Sequence, residues 1–128
     1  MFDARAVAVV AAGAALGGVV RYGIGTFVST RFGIAFVPLA TMAINLSGSF
    51  AIGIVLEVAL GRGALSPLWR AFLATGVLGG FTTFSAFSAE ALAYATGGAF
   101  PLAVAYVTAS AGLGVVAAFA GSALARAF

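Results

Sequence analysis

The sequence predicts an all-α membrane protein of four transmembrane helices, the third broken near the bilayer midplane. Three observations carry this. Of 128 residues, 63% are apolar and only 7% charged, with a mean hydropathy of +1.20, far from the balance of a water-soluble domain. The apolar residues fall into four runs long enough for a hydrocarbon core, which takes about 20 residues per helix. Short turns rich in glycine and proline separate the runs. The third run, from about Trp69 to Ala95, is interrupted by Gly76–Ser88, GVLGGFTTFSAFS. Adjacent glycines disfavour a helix by about 1 kcal/mol each relative to alanine, and the threonines beside them offer hydroxyls to the backbone. A break there exposes carbonyls of one half-helix and amides of the next, which lipid cannot satisfy. Such a break marks an ion site in many transporters; a glycine-kinked helix without a site is the plainer alternative.

The first helix is expected from about Ala4 to Val28. Arg5 followed by alanines and valines imitates a signal peptide, but three further apolar segments follow and Gly17-Gly18 is a poor processing site, so a retained helix is expected. Gly13 and Gly17 form a GxxxG pair suited to close helix approach. Arg21 lies about 10 Å of helix rise before Val28. It either snorkels to the headgroups or places its charge in a watery vestibule that draws anions inward.

Residues 29–37 form the first turn, and Pro38 opens a second helix reaching about Leu60. Thr41, Asn45 and Ser49 recur every fourth residue with Gly48 beside them, a polar, small stripe on one face. Asn45 falls near mid-span, where an unpaired carboxamide is costly. It is either interhelical glue or an amide donor facing a ligand. Glu57 lies near the helix end, within reach of the interface. Residues 61–67 form the second turn, with Arg62 in it, Arg70 just beyond, and Trp69 placed as an interfacial anchor.

In the second half of the broken helix, Thr83, Phe87, Glu90 and Tyr94 share a face, with Phe84 and Ser88 on an adjacent stripe. Glu90 is the one acid well inside an apolar run. Its placement costs roughly 2.5–3.5 kcal/mol, which calls for a wet or polar neighbourhood. Residues 96–100 make a glycine turn, and Pro101 opens the fourth helix, expected to end near Leu124. Tyr106, Ser110 and Gly114 give it a polar stripe of its own. Residues 1–128 thus read as one compact four-helix domain without internal repeat or low-complexity linker.

Composition also excludes functions. There is no cysteine or histidine, so disulfides, thiolate and histidine metal sites and histidine acid-base chemistry are ruled out. No soluble catalytic domain fits, and an enzyme is not expected. The net charge of +3 comes from scattered arginines; with no basic run, it reads as membrane topology and not as nucleic-acid binding. The intramembrane polar groups are mostly hydrogen-bond donors, one amide and several hydroxyls, which favours an anion over a cation. The positive ring edges of Phe84 and Phe87 could help solvate an anion without trapping it; ordinary helix packing is the alternative for these rings.

Three stretches carry a resemblance: GGVVRY at Gly17–Tyr22, TMAINLSGSF at Thr41–Phe50 and GGFTTFSAF at Gly79–Phe87. In this order, over a chain of this length, they resemble the signatures of the Fluc/CrcB fluoride channel family. The resemblance implies an antiparallel, dual-topology homodimer in a lipid bilayer (the cell inner membrane or plasma membrane), with two fluoride pathways and passive export of cytoplasmic fluoride. It further implies that Phe84 and Phe87 line the pore, that Asn45 is the pore amide, and that Thr83, Ser85, Thr41, Tyr106 and Ser110 supply hydroxyls. Glu90 would stand beside that polar track and Arg21 in the vestibule. Carbonyls of Gly79 and Thr82 would hold a structural sodium ion on the dimer axis. Gly114 departs from the family, which often has a hydroxyl there.

Other readings stay open. One is a proton-coupled small-anion carrier in which Glu90 titrates. Another is one subunit of a heterodimeric fluoride channel, since some members work as oppositely oriented pairs of homologous chains. A small multidrug exporter would carry an acid in its first span, which is absent here, and a structural accessory subunit would conduct nothing.

Overall fold

A computed structural model describes residues 3–128. Helix α1, Ala4–Phe32, is capped by Asp3, whose carboxylate accepts from the Arg5 amide at 2.9 Å. It runs four residues past its expected end because Ser29 and Thr30 do not break it; the Thr30 hydroxyl donates back to the Thr26 carbonyl. Gly33, at φ 102°, stops it, a conformation a side chain would resist. A 3₁₀ turn, Ile34–Phe36, leads into α2, Val37–Leu56, with Pro38 in its first turn. α2 then widens into a π-helical turn, Glu57–Gly61.

The next helix, α3 (residues 67–81), starts at Pro67 behind Ser66, whose hydroxyl caps the Trp69 amide. Between its α-helical ends it is π-helical over Ala71–Leu78, a geometry frequent at functional sites. Gly79 and Gly80, expected to weaken the helix, are themselves helical. The helical backbone gives way instead at Thr82 and Thr83, whose ψ angles of 159° and 119° are extended. Helix α4, Phe84–Thr96, follows, capped by the Thr83 hydroxyl on the Ala86 amide. After a glycine turn with Gly98 at φ 85°, α5 runs from Phe100 to Arg126 with Pro101 in its first turn, two residues beyond the expected end.

Among the described residues, four helical stretches are long and apolar enough to cross a membrane: Ala4–Phe32, Ile34–Gly61, Pro67–Thr96 and Phe100–Arg126. Lipid tails are as apolar as leucine, so helices in a membrane associate through close packing of small residues, and this bundle does so twice. Gly13 lies against the backbone of Phe72, Gly76 and Val77, and Gly17 against the Val77 carbonyl and Phe81 amide; Gly80 closes on Ala14 from the opposite side. That makes α3 the partner of the GxxxG pair. α2 meets α5 likewise, Gly53 against the Ala118 carbonyl and Gly121 against the Phe50 carbonyl. At the end of the bundle where the chain begins and ends, Arg126 pairs with Glu57 at 2.9 Å, Ser122 donates to the same carboxylate, and Arg62 donates to the Ala125 carbonyl.

Gly17 has no room for a side chain, whereas a methyl on Gly18 would meet nothing within 4 Å. Gly17→Leu should therefore destabilise the fold by about 3 kcal/mol, the upper end of overpacking costs, and Gly18→Ala should not. Thermal retention of the monodisperse peak in detergent measures both; equal melting would mean the α1–α3 crossing is not close-packed.

Candidate functional site

Where α3 gives way, the chain needs new hydrogen-bond partners, and α2 supplies them. The Asn45 carboxamide donates to the Thr83 carbonyl at 3.0 Å and accepts from the Thr83 amide at 2.8 Å. Both polar groups of an extended residue are thus satisfied by one side chain, as buried backbone requires. Of the two sequence readings of Asn45, the glue is what this geometry makes; one amide N–H is left over. The Thr83 amide would otherwise close a helical turn onto the Gly79 carbonyl, so the clasp releases that oxygen. On the near side, Thr82 donates both its amide and its hydroxyl to the Leu78 carbonyl, and Gly48 leaves the space in which the Thr82 methyl sits.

Arg21 meets the same region from α1. Its Nε donates to the Gly80 carbonyl at 3.0 Å, a use neither sequence reading of Arg21 foresaw. It supplies a carbonyl of the last helical turn with a donor, as basic side chains do near helix C-termini.

Beyond the interruption, α4 begins with Phe84 and Ser85, whose first-turn amides point away from the helix. A helix N-terminus carries partial positive charge and favours anions. The Phe84 ring is 80% exposed and lies 5.6 Å from the half-buried Phe87 ring. Phe87 is in turn 5.4 Å from Tyr106 on α5. Ser85 is exposed, its hydroxyl 3.4 Å from that of Thr83.

Glu90 gathers the next layer. The Thr41 hydroxyl donates to one carboxylate oxygen at 2.7 Å and the Tyr106 hydroxyl to the other at 2.6 Å. Tyr106, 6% exposed, also lies 3.2 Å from the Pro38 carbonyl. This is the polar neighbourhood that an acid inside an apolar run requires, and it ties α2, α4 and α5 together. One turn along α5, the Ser110 hydroxyl is buried with no hydrogen-bond partner among the described residues.

These groups border an open groove of about 500 Å³ whose lining includes Asn45, Thr82, Thr83, Phe84, Phe87 and Ser110, with Gly79 at its edge. Tyr106 adjoins it through Phe87 and carries Glu90 and Thr41 with it; Arg21 stands apart, bonded to Gly80. The aliphatic part of the lining, Ile52 on α2, Ala74 and Leu78 on α3, and Ala111, Val115 and Ala118 on α5, was not singled out in the sequence. Helical spacing from Ser49 and Ser110 was the available signal on α2 and α5. Among the described residues, no cluster of three acidic, histidine or cysteine side chains could hold a metal ion.

A bundle of four apolar spans with a groove of amide and hydroxyl donors defines a small multi-pass membrane protein. The chain belongs to the CrcB family: residues 8–122 match the family described as "CrcB-like protein, Camphor Resistance (CrcB)". It is 49% identical over 118 residues to a protein of Rhizobium meliloti (strain 1021) named fluoride-specific ion channel FluC, covering 92% of this chain and 94% of that one. A protein of the same name from Thermus thermophilus is 49% identical over 112 residues, 88% of this chain and 87% of the relative. One from Roseiflexus sp. (strain RS-1) is 44% identical over 117 residues, 91% and 94%.

Proposed function

We propose that this chain forms a fluoride-selective channel that lets cytoplasmic fluoride leave the cell passively, down its electrochemical gradient, through the inner or plasma membrane. The observation that carries this reading is a groove pairing two phenyl rings with amide and hydroxyl donors, in a chain 49% identical over most of its length to a protein named fluoride-specific ion channel FluC. Fluoride is small and strongly hydrated, so donors must replace its water along the whole path without binding it tightly at any point. The first-turn amides of α4, the spare Asn45 N–H and the Thr83, Ser85 and Ser110 hydroxyls would do this, with the Phe84 and Phe87 edges between them. Thr41 and Tyr106 donate to Glu90, so they would serve an ion only when that carboxylate yields them. Arg21, bonded to Gly80, would act from the vestibule by its field. Fluoride efflux from proteoliposomes holding only this polypeptide tests the reading. Efflux well above that of empty vesicles supports it, and a chain that retains fluoride refutes it.

The groove is open on one side and Phe84 projects from it. A second, antiparallel copy would close it, giving a dual-topology homodimer with two pathways. Thr82 and Thr83 lie at the middle of the 30-residue span Pro67–Thr96, which suits a helix broken at the bilayer midplane. There the Gly79 carbonyl, released by the Asn45 clasp, and the Thr82 carbonyl are the kind of hard oxygen ligands that a structural sodium ion takes, so the donor set fits that ion. The Thr82 hydroxyl is committed to Leu78. Thr82→Ala should therefore leave sodium binding intact, read as sodium-dependent protection against thermal unfolding. Loss of that protection would place the ligand on the side chain.

A heterodimeric channel is the second reading, favoured by charge. Arg5, Arg62, Arg70 and Arg126 collect at the end where the chain begins and ends, with Arg31 opposite and Arg21 drawn inward to Gly80. A modest bias of this kind leans toward a single orientation. The chain has no cysteine, so Ala127→Cys gives a single label. For the homodimer, an impermeant reagent should reach about half the molecules in sealed vesicles when both orientations insert equally. Labelling of nearly all or nearly none would point to paired homologous chains.

A further inference from the structure

We infer that the bundle holds an anionic phospholipid at the end where its chain begins and ends, one acyl chain seated between α1 and α3 and the phosphate beside Arg5. A groove of about 300 Å³ lies there, lined by Val9 of α1 and by Leu68, Trp69 and Phe72 of α3. This is the lower end of the about 300–1,000 Å³ of small-molecule pockets, a size that suits one acyl chain and not a partner helix. Its walls are wholly apolar, and it opens on the outside of a bundle whose surroundings are lipid.

The rim supplies what binds a phosphate. α1 and α3 run side by side from this end, with Gly13 against Phe72 and Gly17 against Phe81. Val9 is thus one turn nearer the membrane surface than Gly13. Arg5 stands a further turn out on the same face, since residues four apart stack along a helix. Arg70 adjoins Trp69 in sequence. The other two arginines at this end are engaged, Arg126 by Glu57 and Arg62 by the Ala125 carbonyl. Among the described residues, the guanidinium groups of Arg5 and Arg70 have no hydrogen-bond or ion-pair partner. Asp3 is the nearby acid; its carboxylate is turned onto the Arg5 main-chain amide, capping α1. Trp69, 58% exposed and edge-on to Phe72 at 5.7 Å, has the apolar body and polar N–H that suit the headgroup boundary.

The site does not depend on what the groove beside Phe84 conducts. Trp69 is the one tryptophan in the chain, so its fluorescence reports the groove directly. The protein is reconstituted into bilayers containing either brominated phosphatidylglycerol or brominated phosphatidylcholine at matched mole fractions and low ionic strength. Half-maximal quenching should need at least about fivefold less of the anionic lipid, the advantage expected of one arginine near an anionic headgroup. Arg5→Gln with Arg70→Gln should abolish that preference while the monodisperse peak survives, and Arg31→Gln at the opposite end should leave it unchanged. Equal quenching by both lipids would overturn the seat for an anionic headgroup, since phosphatidylcholine carries the same phosphate and differs in net charge; a preference that survives the double variant would overturn the role of the two arginines. Absence of quenching by either would overturn the lipid seat altogether.

Discussion

Phe87→Ile is expected to lower fluoride flux by about tenfold with folding intact, and Phe84→Ile by a similar factor. Isoleucine keeps most of the bulk but has no quadrupole. Edge-to-face pairing of two aromatic rings draws on the same quadrupole and is worth about 0.5–1.5 kcal/mol; a loss of that order matters, since about 1.36 kcal/mol on a barrier is tenfold in rate. The two positions should differ in what else they disturb. Phe87 is half-buried and stacked near Tyr106, so its replacement also loosens the Thr41–Glu90–Tyr106 layer. Phe84 is largely exposed and its replacement should leave that layer untouched. The measurement is initial efflux from proteoliposomes at matched protein density, with size-exclusion profiles as the folding control. Wild-type flux in both variants would make the rings packing elements.

The second large effect is expected at Asn45. Asn45→Leu removes both partners of the Thr83 backbone, and each polar group left unsatisfied costs about 1–3 kcal/mol. Stability should fall accordingly, and flux should be abolished because α4 loses its entry geometry. Asn45→Asp keeps an acceptor for the Thr83 amide, 2.8 Å away in the native chain. It removes the donor to the Thr83 carbonyl and adds negative charge to the groove. It should fold better than Asn45→Leu and conduct no better, since a fixed anion repels a mobile one. Thermal unfolding and efflux measured on both variants separate the two roles. An Asn45→Leu protein that melts and conducts like the native one would refute the clasp.

The sequence made the four spans legible because hydropathy is a property of each run by itself. Proline and glycine marked the turns for the same local reason. What it did not make legible depends on distant partners. Gly79 and Gly80 looked like the weak point of α3, yet Gly80 is needed small to meet Ala14 and stays helical. The extended pair falls at Thr82 and Thr83 because Asn45, 38 positions earlier, satisfies the Thr83 backbone. Propensity cannot carry that information. The GxxxG pair announced a close approach but could not name α3 as its partner. Arg21 was read as a vestibule or surface charge, and its bond to the Gly80 carbonyl, a contact from another helix, was not legible. Periodicity did place Thr41, Glu90 and Tyr106 on inward faces. Their convergence on a single carboxylate required the bundle. The π-helical stretches had no signal, since they arise from how turns accommodate neighbours.

Passive fluoride conduction by this polypeptide alone would show in the reversal potential of the purified protein in a planar bilayer with unequal fluoride on the two sides. Reversal is expected at the fluoride equilibrium potential, unmoved when chloride replaces an inert anion and unmoved by an imposed pH gradient. A reversal potential that shifts with pH would contradict it, because Glu90 would then be carrying protons with the ion.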